Sequence, residues 1–111
     1  MVDGYNVLPS YAVEMMKTIH RLYGVSEGNT LIHIVVSLHP KYGISPETLM
    51  EYAEYIVQAL NDYQIVYGVH NDTDNAHIHF MINPVSIRNG EILTRYKAEW
   101  SINMICKKIF S

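Results

Sequence analysis

Apolar and polar positions change period several times along this chain, and each change marks an element. Ala12, Met15, Met16, Ile19 and Leu22 recur at helical spacing, the stripe of an amphipathic helix. Ser10 stands where a cap belongs, Glu14 suits the first turn, and Gly24 offers a stop. Residues 31–38, LIHIVVSL, are dense in β-branched side chains and predict a strand. Ile32, Ile34, Val36 and Leu38 form its apolar face, while His33, Val35 and Ser37 share the other. Ser45-Pro46-Glu47 carries a cap, a first-turn proline and an acidic residue, so a second helix starts there. It runs to about Leu60 on a stripe of Leu49, Tyr52, Ala53, Ile56 and Leu60. Residues 63–70 and 77–83 read as two further strands. Asn89-Gly90 is a turn signal, and the EIL after it suggests a short strand. Residues 98–110 predict a third helix, packed through some of Trp100, Ile102, Ile105 and Ile109.

The order is helix, strand, helix, strand, strand, helix. The close pair 63–70 and 77–83 favours an antiparallel hairpin. The fold class expected is therefore α+β, an antiparallel sheet with helices packed on one face. At 111 residues it is a single domain.

The chemistry concentrates in HNDTDNAHIHFMINP, His70 to Pro84. His77 and His79 alternate with Ile78, so both rings leave the same face of a strand. His70 closes the preceding apolar run, and an antiparallel pairing places it across from His77 and near His79. Three neutral imidazoles with open coordination positions suit a divalent ion, Mn²⁺, Mg²⁺ or Zn²⁺. Such an ion polarises a phosphoryl oxygen. Asp72 is expected behind a ligand histidine, fixing its tautomer, and Asp74 in the loop. Asn83 either orients substrate or satisfies backbone groups beside Pro84. His33 and Ser37 could line the same face, although a lone strand histidine is as readily structural.

Composition narrows the remaining classes. Apolar residues make up 49% of the chain and charged residues 17%, which excludes a disordered chain. A net charge of −3 argues against a broad basic surface. Arg88, Arg95, Lys97, Lys107 and Lys108 leave room for a local basic patch late in the chain. Cys106, the single cysteine, lies in an apolar run, so no disulfide framework exists and a buried thiol is expected. No signal peptide or membrane span is visible, and a cytoplasmic location fits.

With these residues in place, the chain resembles the relaxases, plasmid mobilization proteins of the HUH endonuclease superfamily, in the branch that includes the MobA and VirD2 types. The motif is His70-x-Asp72-x-x-x-x-His77-x-His79-x-x-x-Asn83. GYNVLP followed by AVEMM, and LIHIVVSL followed by SPETLMEYA, support it. The resemblance covers nearly the whole chain. It implies a site- and strand-specific enzyme that nicks and rejoins single-stranded DNA at a transfer origin, with accessory mobilization proteins as partners. It implies His70, His77 and His79 as metal ligands, and Ser37 as a DNA contact. In relatives the nucleophilic tyrosine precedes the part matching GYNVLP, which here begins at Gly4. The expectation is thus a partial domain with an incomplete core, lacking the nucleophile's segment. A sheet edge left exposed in that way would be covered by a second copy.

Three alternatives stand beside a nicking enzyme. One is a non-catalytic metal- or DNA-binding remnant. Another is a small metal-dependent phosphodiester hydrolase, with Asp72 or Asp74 as general base. The last is a structural protein whose histidines are surface polar residues.

Overall fold

A computed structural model describes residues 1–25, 31–38, 43–71 and 76–110. Four strands form one antiparallel sheet: β1 (Val2–Tyr5), β2 (Ile32–Leu38), β3 (Ile65–Asn71) and β4 (Ala76–Ile82), in the order β1-β3-β4-β2. Three α-helices accompany it: α1 (Ala12–Leu22), α2 (Pro46–Val57) and α3 (Arg95–Phe110). The fold is α+β, as expected.

Period-two patterning sets the register. Ile78, Phe80 and Ile82 of β4 are fully buried, and their neighbours Ile65 and Tyr67 of β3 and Ile32 and Ile34 of β2 point the same way. Leu49, Ala53, Ile56 and Val57 of α2 and Ala98 and Ile102 of α3 close over this face. Burying each of the Leu, Ile and Val side chains among these is worth about 1.5–3 kcal/mol. The sheet therefore has one dry face. Ser45 caps α2, its hydroxyl accepting from the Thr48 amide at 3.2 Å.

α1 is held at the border of the other face. The His20 ring donates to Asn83 Oδ1 at 2.7 Å, and the Tyr23 hydroxyl donates to the Ile87 carbonyl at 2.8 Å. Gly90, at φ +76°, lets the Tyr23 ring lie against its bare Cα. The turn expected at Asn89-Gly90 is present, and Val85 bridges Ile92 beyond it.

Several expectations are corrected. Ser10 does not cap α1: Pro9–Tyr11 form a single 3-10 turn and Tyr11 takes the cap position without a side-chain bond. Within the α1 stripe only Met16 is buried, and Leu22 is exposed. Of the residues expected to pack α3, Ile102, Ile105 and Ile109 do so, joined by Ala98, whereas Trp100 is 56% exposed. Residues 2–5, given no element above, pair with β3 from Val2↔Gly68 to Tyr5↔Ile65.

Candidate metal and nucleic-acid face

The second face of the sheet carries the chemistry. The alternation that buries Ile78 and Phe80 turns His77 and His79 away from the helices. The β3–β4 register sets His70 directly opposite His77 and Gly68 opposite His79. The β2–β4 register adds Ser37 opposite His77, with His33 diagonal to His79. Four histidines and one serine thus share one face, and the three predicted from the motif are brought together.

Ring geometry is close but not closed. The His70 and His77 centroids are 6.4 Å apart and their planes 19° apart; His77 and His79 are 6.3 Å apart. Two imidazoles on one tetrahedral ion, with N–metal bonds of ~2.1 Å, hold their centroids roughly 5 Å apart. Among the described residues no three His, Cys, Asp or Glu side chains are placed to enclose an ion as they stand. The donor set nevertheless fits one. The strands place three imidazoles, the nitrogen donors that a divalent ion takes, on one open surface.

Both β4 histidines are held from β2. His33 Nε2 and His79 Nδ1 share a hydrogen bond of 3.0 Å, with the two rings stacked at 5.3 Å. Ser37 Oγ and His77 Nδ1 are 2.9 Å apart. Burial, and then the neighbouring His33, His77 and His70, hold the His79 imidazole below the ordinary histidine range. His79 is thereby kept in the neutral form that a metal requires. The partnership of His33 with His79 is not legible from the histidine motif. Its only trace in the sequence is that His33 shares the alternating face of Ser37.

Asn83 lies elsewhere. It is fully buried, and its amide donates to Gln64 Oε1 at 3.0 Å. Its Oδ1 accepts from His20 and from the Val85 amide. It therefore satisfies backbone groups beside Pro84 and ties α1 to the end of β4. Asp72 and Asp74, expected behind a ligand and in the loop, lie outside the described residues.

No tyrosine of β2, β3 or β4 shares the histidine face. Tyr67 points into the helix-covered core, where burial, then Asp3 and Glu54, push its phenol up to about 12. Tyr52 packs edge-on against Phe110 at 5.4 Å. Burial and Asp62 raise the Tyr63 phenol as well.

The histidine face opens at one side into a cleft of about 570 Å³ beneath α1. Val66 and Met81 form its floor and also border His70 and His79. Lys17, His20 and Arg21 stand along its wall. The late basic residues do not join them. Arg95, Lys97, Lys107 and Lys108 ride on α3, and Arg95 donates to the His33 carbonyl at 2.8 Å on the outer edge of β2. No helix among the described residues is long and apolar enough to cross a membrane.

Several known proteins are similar to this chain. Protein TraI of Escherichia coli is 33% identical over 103 residues, 91% of this chain but 14% of that protein. Protein rlx of Staphylococcus aureus is 31% identical over 73% of this chain and 24% of its own length. Protein MobA of Acidithiobacillus ferrooxidans is 38% identical over 55% of this chain and 15% of its own length. The chain thus spans less than a quarter of the length of these relatives. No solved structure matches it. The relaxase family, in its MobA/VirD2-like nuclease domain, matches residues 1–111 from end to end, and the chain belongs to this family.

Proposed function

We propose that this domain binds single-stranded DNA and a divalent cation together on the histidine face, without itself completing strand cleavage. His70, His77 and His79 would hold the ion, Mn²⁺, Mg²⁺ or Zn²⁺. When bound, the ion supplies a Lewis acid for one phosphate of the strand. The observation that carries this reading is the convergence of three imidazoles on one open sheet face, two of them anchored through Nδ1. Imidazoles are neutral, so the ion keeps its full positive charge toward a phosphodiester. Lys17 and Arg21 border the adjoining cleft and extend the favourable potential along the strand. A net charge of −3 already includes these two cations, so what they provide is a local positive edge on an acidic chain.

A relaxase-type reaction needs a tyrosine to attack the phosphate, forming a 5′-phosphotyrosine and freeing a 3′ hydroxyl. Among the described residues of β2, β3 and β4 no tyrosine reaches that side of the sheet, and binding is the part of such a reaction that the histidine face supports without one. Nicking at a transfer origin, alongside accessory mobilization proteins, is the second reading and rests on family membership.

The experiment is binding of a fluorescent random-sequence single-stranded oligonucleotide pool with Mn²⁺ and with EDTA, followed by denaturing gels. The expected result is metal-dependent retention with intact DNA and no protein adduct. A covalent adduct on one cleaved strand would establish the nicking reading instead. Cleavage of a simple phosphodiester without an adduct would establish the hydrolase. Equal DNA binding with and without metal would remove the ion from the account.

A further inference from the structure

Each ring nitrogen of a neutral histidine has one role, donor or acceptor, and the two roles are coupled. A histidine that coordinates through Nε2 must carry its proton on Nδ1. Something must accept that proton, or the ring spends much of its time in the wrong tautomer and orientation. On β4 both histidines have an Nδ1 partner, and both partners come from β2: His33 Nε2 at 3.0 Å from His79, and Ser37 Oγ at 2.9 Å from His77.

We propose that His33 and Ser37 are positioning residues that accept the Nδ1 protons of His79 and His77 and so present both Nε2 atoms to a metal ion. The inference rests on the metal-binding reading above. For His33 the polarity is decisive. If His79 donates, His33 accepts on Nε2 and carries its own proton on Nδ1. If the polarity reverses, His79 holds its proton on Nε2 and is lost as a neutral ligand. Ring stacking at 5.3 Å adds orientation, because it limits rotation of the His79 ring about its own bond to the strand. Ser37 lies directly opposite His77 in the ladder, so its short side chain reaches Nδ1 without a bend in the backbone. The His33 carbonyl also receives the Arg95 guanidinium at 2.8 Å, which fixes the strand from which His33 reaches.

The test uses the whole chain, Mn²⁺ alone as the probe, and four proteins: wild type, His33→Phe, His33→Gln and Ser37→Ala. His33→Phe keeps a ring but removes the acceptor, whereas Gln returns an acceptor at nearly the Nε2 position. Calorimetry gives the affinity, nitrogen-edited NMR of the metal-free proteins gives the imidazole tautomers, and thermal melts check the fold. The expected result is loss of about 10- to 100-fold in Mn²⁺ affinity for His33→Phe and Ser37→Ala, with most of the loss at position 33 restored by Gln. The expected tautomer of wild-type His79 is Nδ1–H, shifting toward Nε2–H in His33→Phe. Unchanged affinity in both variants, or an Nε2–H His79 in the wild type, would overturn the inference and leave the metal site standing. Wild type that binds no Mn²⁺ would overturn the metal reading, and this inference with it.

Discussion

Along β4, Ile78, Phe80 and Ile82 point one way and are fully buried, while His77, His79 and Met81 point the other way and keep contact with solvent. The two sets belong to one seven-residue strand and share every backbone constraint. What separates them is what the neighbouring strands and helices present. On the first side α2 and α3 supply aliphatic side chains and exclude water. On the second, β2 and β3 supply His33, Ser37 and His70, and Gly68 supplies no side chain at all. A Cβ at Gly68 would meet the Met1 carbonyl oxygen at 2.9 Å and crowd the face beside His79. Stability and chemistry are thus assigned to opposite faces, and a change on one should leave the other largely intact.

That separation can be broken most forcefully from the dry side. Phe80→Ala should cost about 3–5 kcal/mol by leaving a cavity in the helix-covered core. Chemical denaturation should show the loss directly, and any fall in metal binding should track the unfolded fraction. Asn83→Ala should cost about 1–3 kcal/mol, because it strands the Gln64 side chain and the Val85 amide in a buried site. It should also loosen α1 through His20, visible as faster amide exchange in that helix.

From the wet side the effects should invert. His79→Ala should abolish tight metal binding while costing only about 0.5–1.5 kcal/mol of stability, the worth of its hydrogen bond to His33. The pH dependence has a definite sign. The His79 imidazole titrates below its ordinary value in the folded protein, so the unfolded chain takes up its proton first as pH falls. Its contribution to stability is therefore present above the ordinary histidine value of about 6.5 and declines as pH falls toward the lowered one. Metal binding by His79 should persist to a lower pH than an unperturbed histidine allows, which a pH series of Mn²⁺ titrations would show. The smallest effect belongs to Tyr67→Phe. That hydroxyl lies on the core side, so metal and DNA binding should be unchanged; a loss of either would put Tyr67 at the site.

Much of this arrangement is legible in the residues, because a strand alternates strictly. The pattern of β4 and the length of the gap to His70 are enough to place three histidines on one face. Family resemblance rests on the same motif. The parts that escape sequence reasoning depend on partners far away in the chain. Val2–Tyr5 has no apolar run of its own and becomes a strand only because β3 offers a free edge. Ser10 has the right side chain for a cap, but Pro9 starts a 3-10 turn that moves the cap to Tyr11. Trp100 sits on a helix whose buried stripe runs through Ala98 and Ile102, and the helical phase turns the indole outward. His33 pairs with His79 across a diagonal between β2 and β4, a contact that follows only from the register of two strands separated by a helix and a third strand.

The most direct test of the histidine face is a calorimetric Mn²⁺ titration of the wild type beside His70→Ala, His77→Ala and His79→Ala. Near one-to-one binding by the wild type is expected, with a large loss of affinity in each variant and no loss of fold. Wild-type affinity in all three variants, or no binding by the wild type, would contradict this expectation and leave these histidines as surface residues of a relaxase-family scaffold.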